Sequence, residues 1–292
     1  MKRLQFPLAA LVFGLGALLL PARAVHAQDM INNLPDYTGA WLMADLMQRR
    51  GRDPEGTSHE SAREDRRMEE TARQATAKPQ APDAETILRQ ATYVPSAEVE
   101  ATLDDAFAGF LAGQRPDASS PALLRALAED NAAGSPFLDL LAGGLGGGDR
   151  DALRAALRRG DLQQRYAQWL SSMGYTDRNL LDVHAAFLMH SWAIANNGIM
   201  TRDSKAAFGA VREELAQLQA RADAPRTLSR SDARKQEEAQ SFALLTALLV
   251  SAWGDADARG KIVLAKGVNA LGRRIGIDYA AVTLTEDGFQ SR

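Results

Sequence analysis

The chain has 292 residues, with 34 lysines and arginines against 37 aspartates and glutamates, a net charge of −3, and no cysteine. That charge disfavours nucleic acid or an anionic membrane surface as the main partner. The missing thiols exclude a disulfide framework, a thiolate metal site, a cysteine nucleophile and a lipid-anchored cysteine.

Lys2 and Arg3 lead into an apolar run from Leu8 to Leu20, then Pro21 and the small-residue segment Val25, His26 and Ala27. This is the pattern of a secretory signal peptide over residues 1–27. The run is short of the roughly 20 residues that span a bilayer as a helix. Cleavage is expected between Ala27 and Gln28, and the expected location is exported, periplasmic or secreted. Removing Lys2, Arg3 and Arg23 leaves 31 basic against 37 acidic residues, a net charge of about −6. The most apolar later run, Phe242 to Trp253, is long enough for a core helix only, so no integral membrane segment is expected after signal removal.

Residues 28–95 are polar, poor in large aliphatics and broken by Pro35, Pro54, Pro79, Pro82 and Pro95. Such a segment buries too little apolar surface to offset its chain entropy, so a flexible arm is expected. Within it Trp41, Leu42, Met43, Leu46 and Met47 form a short amphipathic patch that either docks on the domain or meets a partner. Glu60 to Arg73 alternate in sign and suit a solvated, charged linker.

From Ser96 to the end at residue 292 the pattern changes to helices with explicit starts and stops. Val99, Leu103, Phe107 and either Phe110 or Leu111 share one face of the first helix, which stops at Gly113. Ser120–Pro121 and Ser135–Pro136 each pair a capping serine with the proline favoured at a first helical position. The glycine cluster Gly143 to Gly148 follows a helix rather than a strand and lacks the Lys and Ser or Thr of a phosphate loop, so a connection capped by Asp149 is expected. Tyr166, Trp169 and Leu170 stripe the next helix up to Gly174.

The most apolar helix comes next, with Thr176 as its expected cap and Asn196, Asn197 and Gly198 as its stop. Leu180, Val183, His184, Phe187, Leu188, Ser191, Trp192 and Ala195 share one face, which other helices must cover. Three further helices follow, bounded by Thr201 and Pro225, by Ser231 and Gly254, and by Ala256 and Gly276. The tail, with Val282, Thr283, Leu284 and Thr285, reads as a strand-like arm or one more helical turn, packing through Ile277, Leu284 and Phe289. The fold class is therefore all-α, a bundle of six to eight helices over residues 96–292 behind a signal peptide and an arm.

Four blocks in this order, WLSSMGYTDRNLLDVHAAFLMHSWAIANNG, FGAVREELAQL, KQEEAQSFALLTALLVSAW and GIDYAAVTLTEDGF, resemble a family of exported bacterial proteins known only as a domain of unknown function. The resemblance covers about the last 190 residues. It implies an export signal followed by an all-helical domain, and it carries no catalytic residue.

His184 and His190 stand six positions apart, some 120° around a helix at about 100° per residue, so they do not pair as metal ligands. His184 on the apolar stripe reads first as a satisfied core histidine. Ser191 lies mid-helix, where no strained turn presents it as a nucleophile. The carboxylate pairs Asp104–Asp105, Glu213–Glu214 and Glu237–Glu238 read as solvated faces. Trp169, Phe187, Met189, Trp192, Phe242 and Trp253 either fill a core or line an apolar cavity.

These readings give no catalytic, cofactor or metal residues. The expected function is a non-enzymatic exported binding or interaction module for a protein or an apolar ligand, with Trp41, His184 and Trp192 as candidate contacts. The alternative is an envelope-associated enzyme with a site assembled around His184 and an acidic or hydroxyl partner from another helix.

Overall fold

The computed structural model describes residues 82–131, 134–197, 204–221 and 230–292, all within the unit Asp36–Arg292. The expected signal peptide, the Ala27–Gln28 cleavage point, the Trp41 patch and the charged linker lie outside the described residues.

The described chain is helical except for one hairpin, as the all-α reading requires. The first described helix, α1 (Ala84–Gln90), falls inside the segment expected as a polar arm. Asp83 caps it by accepting from Thr86 N at 2.7 Å, and Ile87, Ala91 and Tyr93 are buried. The packed domain therefore starts before Ser96. Three buried side chains carry this, too few to lift a window dominated by proline and charge.

Among the described residues nine helices follow from Ala97 onward: α2 (Ala97–Leu111), α3 (Ala122–Asp130), α4 (Pro136–Gly143), α5 (Arg150–Arg158), α6 (Asp161–Ser172), α7 (Leu180–Ala195), α8 (Ser204–Arg221), α9 (Asp232–Asp255) and α10 (Ala258–Arg274). Ser135 and Asp149 cap α4 and α5 as their sequences demand, accepting from Leu138 N and Ala152 N. Ser120 does not cap α3. Its hydroxyl turns to Asp117 instead, and Pro121 occupies the cap position with no side-chain bond. Gly174, at φ +88°, reverses the chain after α6 and lets Tyr175 N reach Leu170 O at 3.0 Å.

The cap of α7 is Asn179, not Thr176. Its Oδ1 accepts from Leu181 N at 3.0 Å and Asp182 N at 3.3 Å. Its Nδ2 donates to Leu88 O at 2.7 Å and to Thr92 Oγ1 at 3.1 Å. Asn179 wins because its extended backbone frees the side chain to turn both ways, one way into its own helix and the other onto α1. Thr176 Oγ1 is spent on Arg178 N.

α7 is buried on nearly every side, beyond the single face expected. Leu181, Asp182, Ala185, Ala186, Met189 and Ile194, off the expected stripe, are buried as well. α8, α9 and α10 all pack against it. A helix apolar all round belongs inside a domain. The second hub is α9, which touches α2, α3, α4, α6, α7 and α10.

The tail resolves into a hairpin, β1 (Val282–Thr285) with β2 (Gly288–Ser291), antiparallel, Leu284 opposite Phe289. Ile277, Tyr279, Val282 and Phe289 are buried and Leu284 is partly so. Trp192 Nε1 donates to Val282 O at 3.0 Å, and the Arg292 guanidinium reaches Asn196 Oδ1 at 2.6 Å. The hairpin is thus latched to the end of α7. No described helix is long and apolar enough to cross a membrane.

Candidate functional site

A cavity of about 370 Å³ opens between α6, α7 and α9. Each helix contributes one face at helical spacing. From α6 come Leu162, Arg165, Tyr166 and Trp169, from α7 His190, Ala193 and Ile194, and from α9 Ala247, Val250, Ser251 and Trp253. Val250 is 44% exposed, an unusual position for a large aliphatic, and it stands where the cavity meets solvent.

The aromatic wall is held by its neighbours. The Trp169 ring meets His190 edge-on at 4.5 Å and Phe208 at 6.2 Å, and Phe208 is stacked on Tyr175 at 4.2 Å. At the other end Lys261 Nζ lies 5.4 Å from the centre of the Trp253 ring. Burial pushes His190 below the ordinary histidine range, although its hydrogen bond to Ala186 O opposes this. Its Nδ1 is 2.9 Å from that carbonyl, which can only accept, so the proton sits on Nδ1 and Nε2 is an acceptor. Among the described residues Nε2 has no partner.

His184 lies elsewhere, 2% exposed and covered edge-on by Phe242 at 4.9 Å. Its Nε2 is 3.3 Å from Glu238 Oε1 but off the line of an aligned hydrogen bond. Glu238 Oε2 accepts from Arg230 at 2.8 Å. Burial alone would raise the Glu238 carboxyl, yet His184 and Arg230 together hold it below its ordinary value. Glu238, Arg230, Arg125 and Arg234 line a polar groove of about 540 Å³.

The fold thus brings His184 an acidic partner from another helix and keeps it apart from His190. Ser191 is fully buried beside the Tyr279 hydroxyl, with no hydrogen bond from either histidine. Trp192 is spent on the hairpin. Of the six large side chains considered for a cavity, Trp169 and Trp253 line it, while Phe187 and Met189 are core. Leu162, Arg165, Ala193 and Val250 escaped the sequence reading. The signal for them was the spacing of residues 162, 165, 166 and 169 along one face of α6. Among the described residues no three histidine, aspartate or glutamate side chains are placed to hold a metal ion.

A third, small cavity of about 80 Å³ lies on the far side of Tyr166, with Asp104, Gln163 and Asp177 in its wall. Asp104 is 4% exposed, and burial, with Glu100 and Asp105 adding to it against Arg158, pushes its carboxyl up to about 6. A carboxyl raised in the folded state binds its proton more tightly there than in the unfolded chain. It therefore subtracts stability as pH rises from its unfolded value, 3.8, through about 6. Asp104→Asn removes that loss. Relative to wild type the variant should gain roughly 1–2 kcal/mol between pH 4 and pH 7.5, allowing for partial screening. Urea unfolding at the two pH values checks this, and an equal difference at both would exclude it.

No family model, no curated protein and no solved structure matches this chain.

Proposed function

We propose that the chain is an exported, non-enzymatic binding module that takes an apolar small molecule into the cavity between α6, α7 and α9. The observation that carries this is an aromatic-walled, mostly apolar space of about 370 Å³ between three packed helices. Packed interiors leave few voids larger than a water molecule, whereas ligand pockets span about 300–1,000 Å³. Export is supported by the N-terminal sequence, Lys2 and Arg3 before the apolar run and Ala27 before Gln28. The exported all-helical family that the four sequence blocks resemble fits the same reading.

The enzyme alternative gains Glu238 as a partner for His184 but lacks access. A ring 2% exposed under Phe242 cannot touch a substrate, and Glu238 is engaged by Arg230 in an ion pair.

Native mass spectrometry on protein purified from its exported fraction tests the proposal. The expected spectrum starts at Gln28 and carries extra mass that is lost on denaturation. Val250→Trp, placed at the exposed mouth, should lose that mass. It should also weaken binding of N-phenylnaphthylamine about tenfold while its melting temperature stays within a few degrees of wild type. Retention of Met1 would overturn export. Absence of probe binding to the wild type would overturn the cavity reading.

A further inference from the structure

We infer that the ligand of this cavity is a single-chain carboxylate amphiphile, its head group on Arg165 and its chain among the aromatic side chains. This rests on the apolar-ligand reading above and names the chemistry of the other end of the molecule.

Among the described residues Arg165 is the only charged one in the cavity wall. Its Nε donates to Asp161 O at 3.3 Å, one turn back on α6, which orients the planar guanidinium. Its terminal nitrogens have no partner among the described residues. They present parallel donors of the kind that match a carboxylate. Among the described residues no acidic side chain lines this cavity, whereas the polar groove carries Glu237 and Glu238, and the small cavity carries Glu100, Asp104 and Asp177. Lys261, above the Trp253 ring, adds a second cation beside the cavity.

His190 sets the orientation. Neutral, with its Nε2 lone pair unpartnered, it repels a carboxylate placed deep inside, so the anion stays with Arg165 and the chain runs inward. A cationic amphiphile would meet Arg165 and Lys261, and a neutral one would leave the Arg165 donors to water.

The test is displacement of N-phenylnaphthylamine from the full chain by laurate, dodecanol and dodecylamine, each below its aggregation limit, in wild type, Arg165→Gln and Arg165→Glu. Arg165 is exposed, so neither substitution threatens folding, and a thermal melt verifies this. Laurate should bind wild type about tenfold more tightly than dodecanol, as charge-assisted hydrogen bonds require. High salt should narrow the gap. Arg165→Gln should close it, and Arg165→Glu should turn the preference to dodecylamine. Equal displacement by laurate and dodecanol in wild type would overturn the carboxylate inference and leave the apolar reading standing. Failure of the probe and of all three compounds to bind would overturn the reading beneath it.

Discussion

Asp182→Ala should cost about 2–3 kcal/mol, because it takes the shared acceptor from a partly buried cation and a backbone N–H. Asp182 is 2% exposed in the first turn of α7. Its Oδ2 accepts from Thr176 N at 3.0 Å, and its Oδ1 accepts from the Arg212 guanidinium. One carboxylate therefore ties the α6–α7 turn, α7 and α8 together. Burial raises its carboxyl above the ordinary value although the Thr176 N–H and Arg212 pull it down. Desolvation thus works against the attraction, and replacing both partners by an apolar pair is a smaller change than the contacts suggest.

Removing one side is different. It leaves the Arg212 cation with the Tyr175 ring, 5.5 Å away, in place of a carboxylate, and it orphans the Thr176 N–H. Asp182→Asn, which can still accept from Thr176, should lose less than the alanine variant. Guanidinium unfolding of the two variants measures both effects. An alanine variant within about 1 kcal/mol of wild type would sink this account.

Gly272→Ala should destabilise by about 2–3 kcal/mol, although alanine in place of a helical glycine normally stabilises by up to about 1 kcal/mol. A Cβ at Gly272 would lie 2.6 Å and 2.8 Å from two Tyr279 ring carbons and 2.9 Å from Ile277 O. The carbonyl cannot retreat. It belongs to the turn closed by Ile277 N on Gly272 O at 2.7 Å, beside Gly276 at φ +82°. Tyr279 is 1% exposed and has nowhere to go. The hairpin behind it would have to lift from α7. Gly254→Ala makes the control, because its Cβ would meet open space. A higher melting temperature for Gly254→Ala and a lower one for Gly272→Ala is the expected pair of results.

Helix limits written in single residues were legible in the sequence. Ser135–Pro136, Asp149, Gly174 and Gly276 act locally, through one hydrogen bond or one backbone angle, and the structure uses each where the sequence puts it. Choices among competing caps were not legible. Thr176 and Asn179 are both good caps, and what decides between them is Leu88 and Thr92, which are distant in the chain. Likewise the tail's strand character became definite only with Trp192 holding Val282 O.

The candidate site was half legible for the same reason. Trp169 and Trp253 stand out as large side chains on helical faces, but a cavity is space that three helices fail to fill together. No spacing within one helix shows what it faces. Arg165 looked like any surface arginine until Leu162, Tyr166 and Trp169 were seen beside it on the cavity side of α6. His184 could be assigned to the core, yet Glu238 as its neighbour depends on how α9 lies across α7.

Asn179 also joins two parts of the chain that are far apart in sequence. Its bonds to Leu88 and Thr92 span 91 and 87 residues, and closing a loop of that length costs roughly 4 kcal/mol of chain entropy before any contact rewards it. Short helices such as α4 and α5, capped from within, can form while the chain is still open. The start of α7 gains its full set of bonds only after the segment from Ala84 to Thr92 has returned to it. The full anchoring of the start of α7 thus depends on residues that look, in the sequence, like the end of a linker.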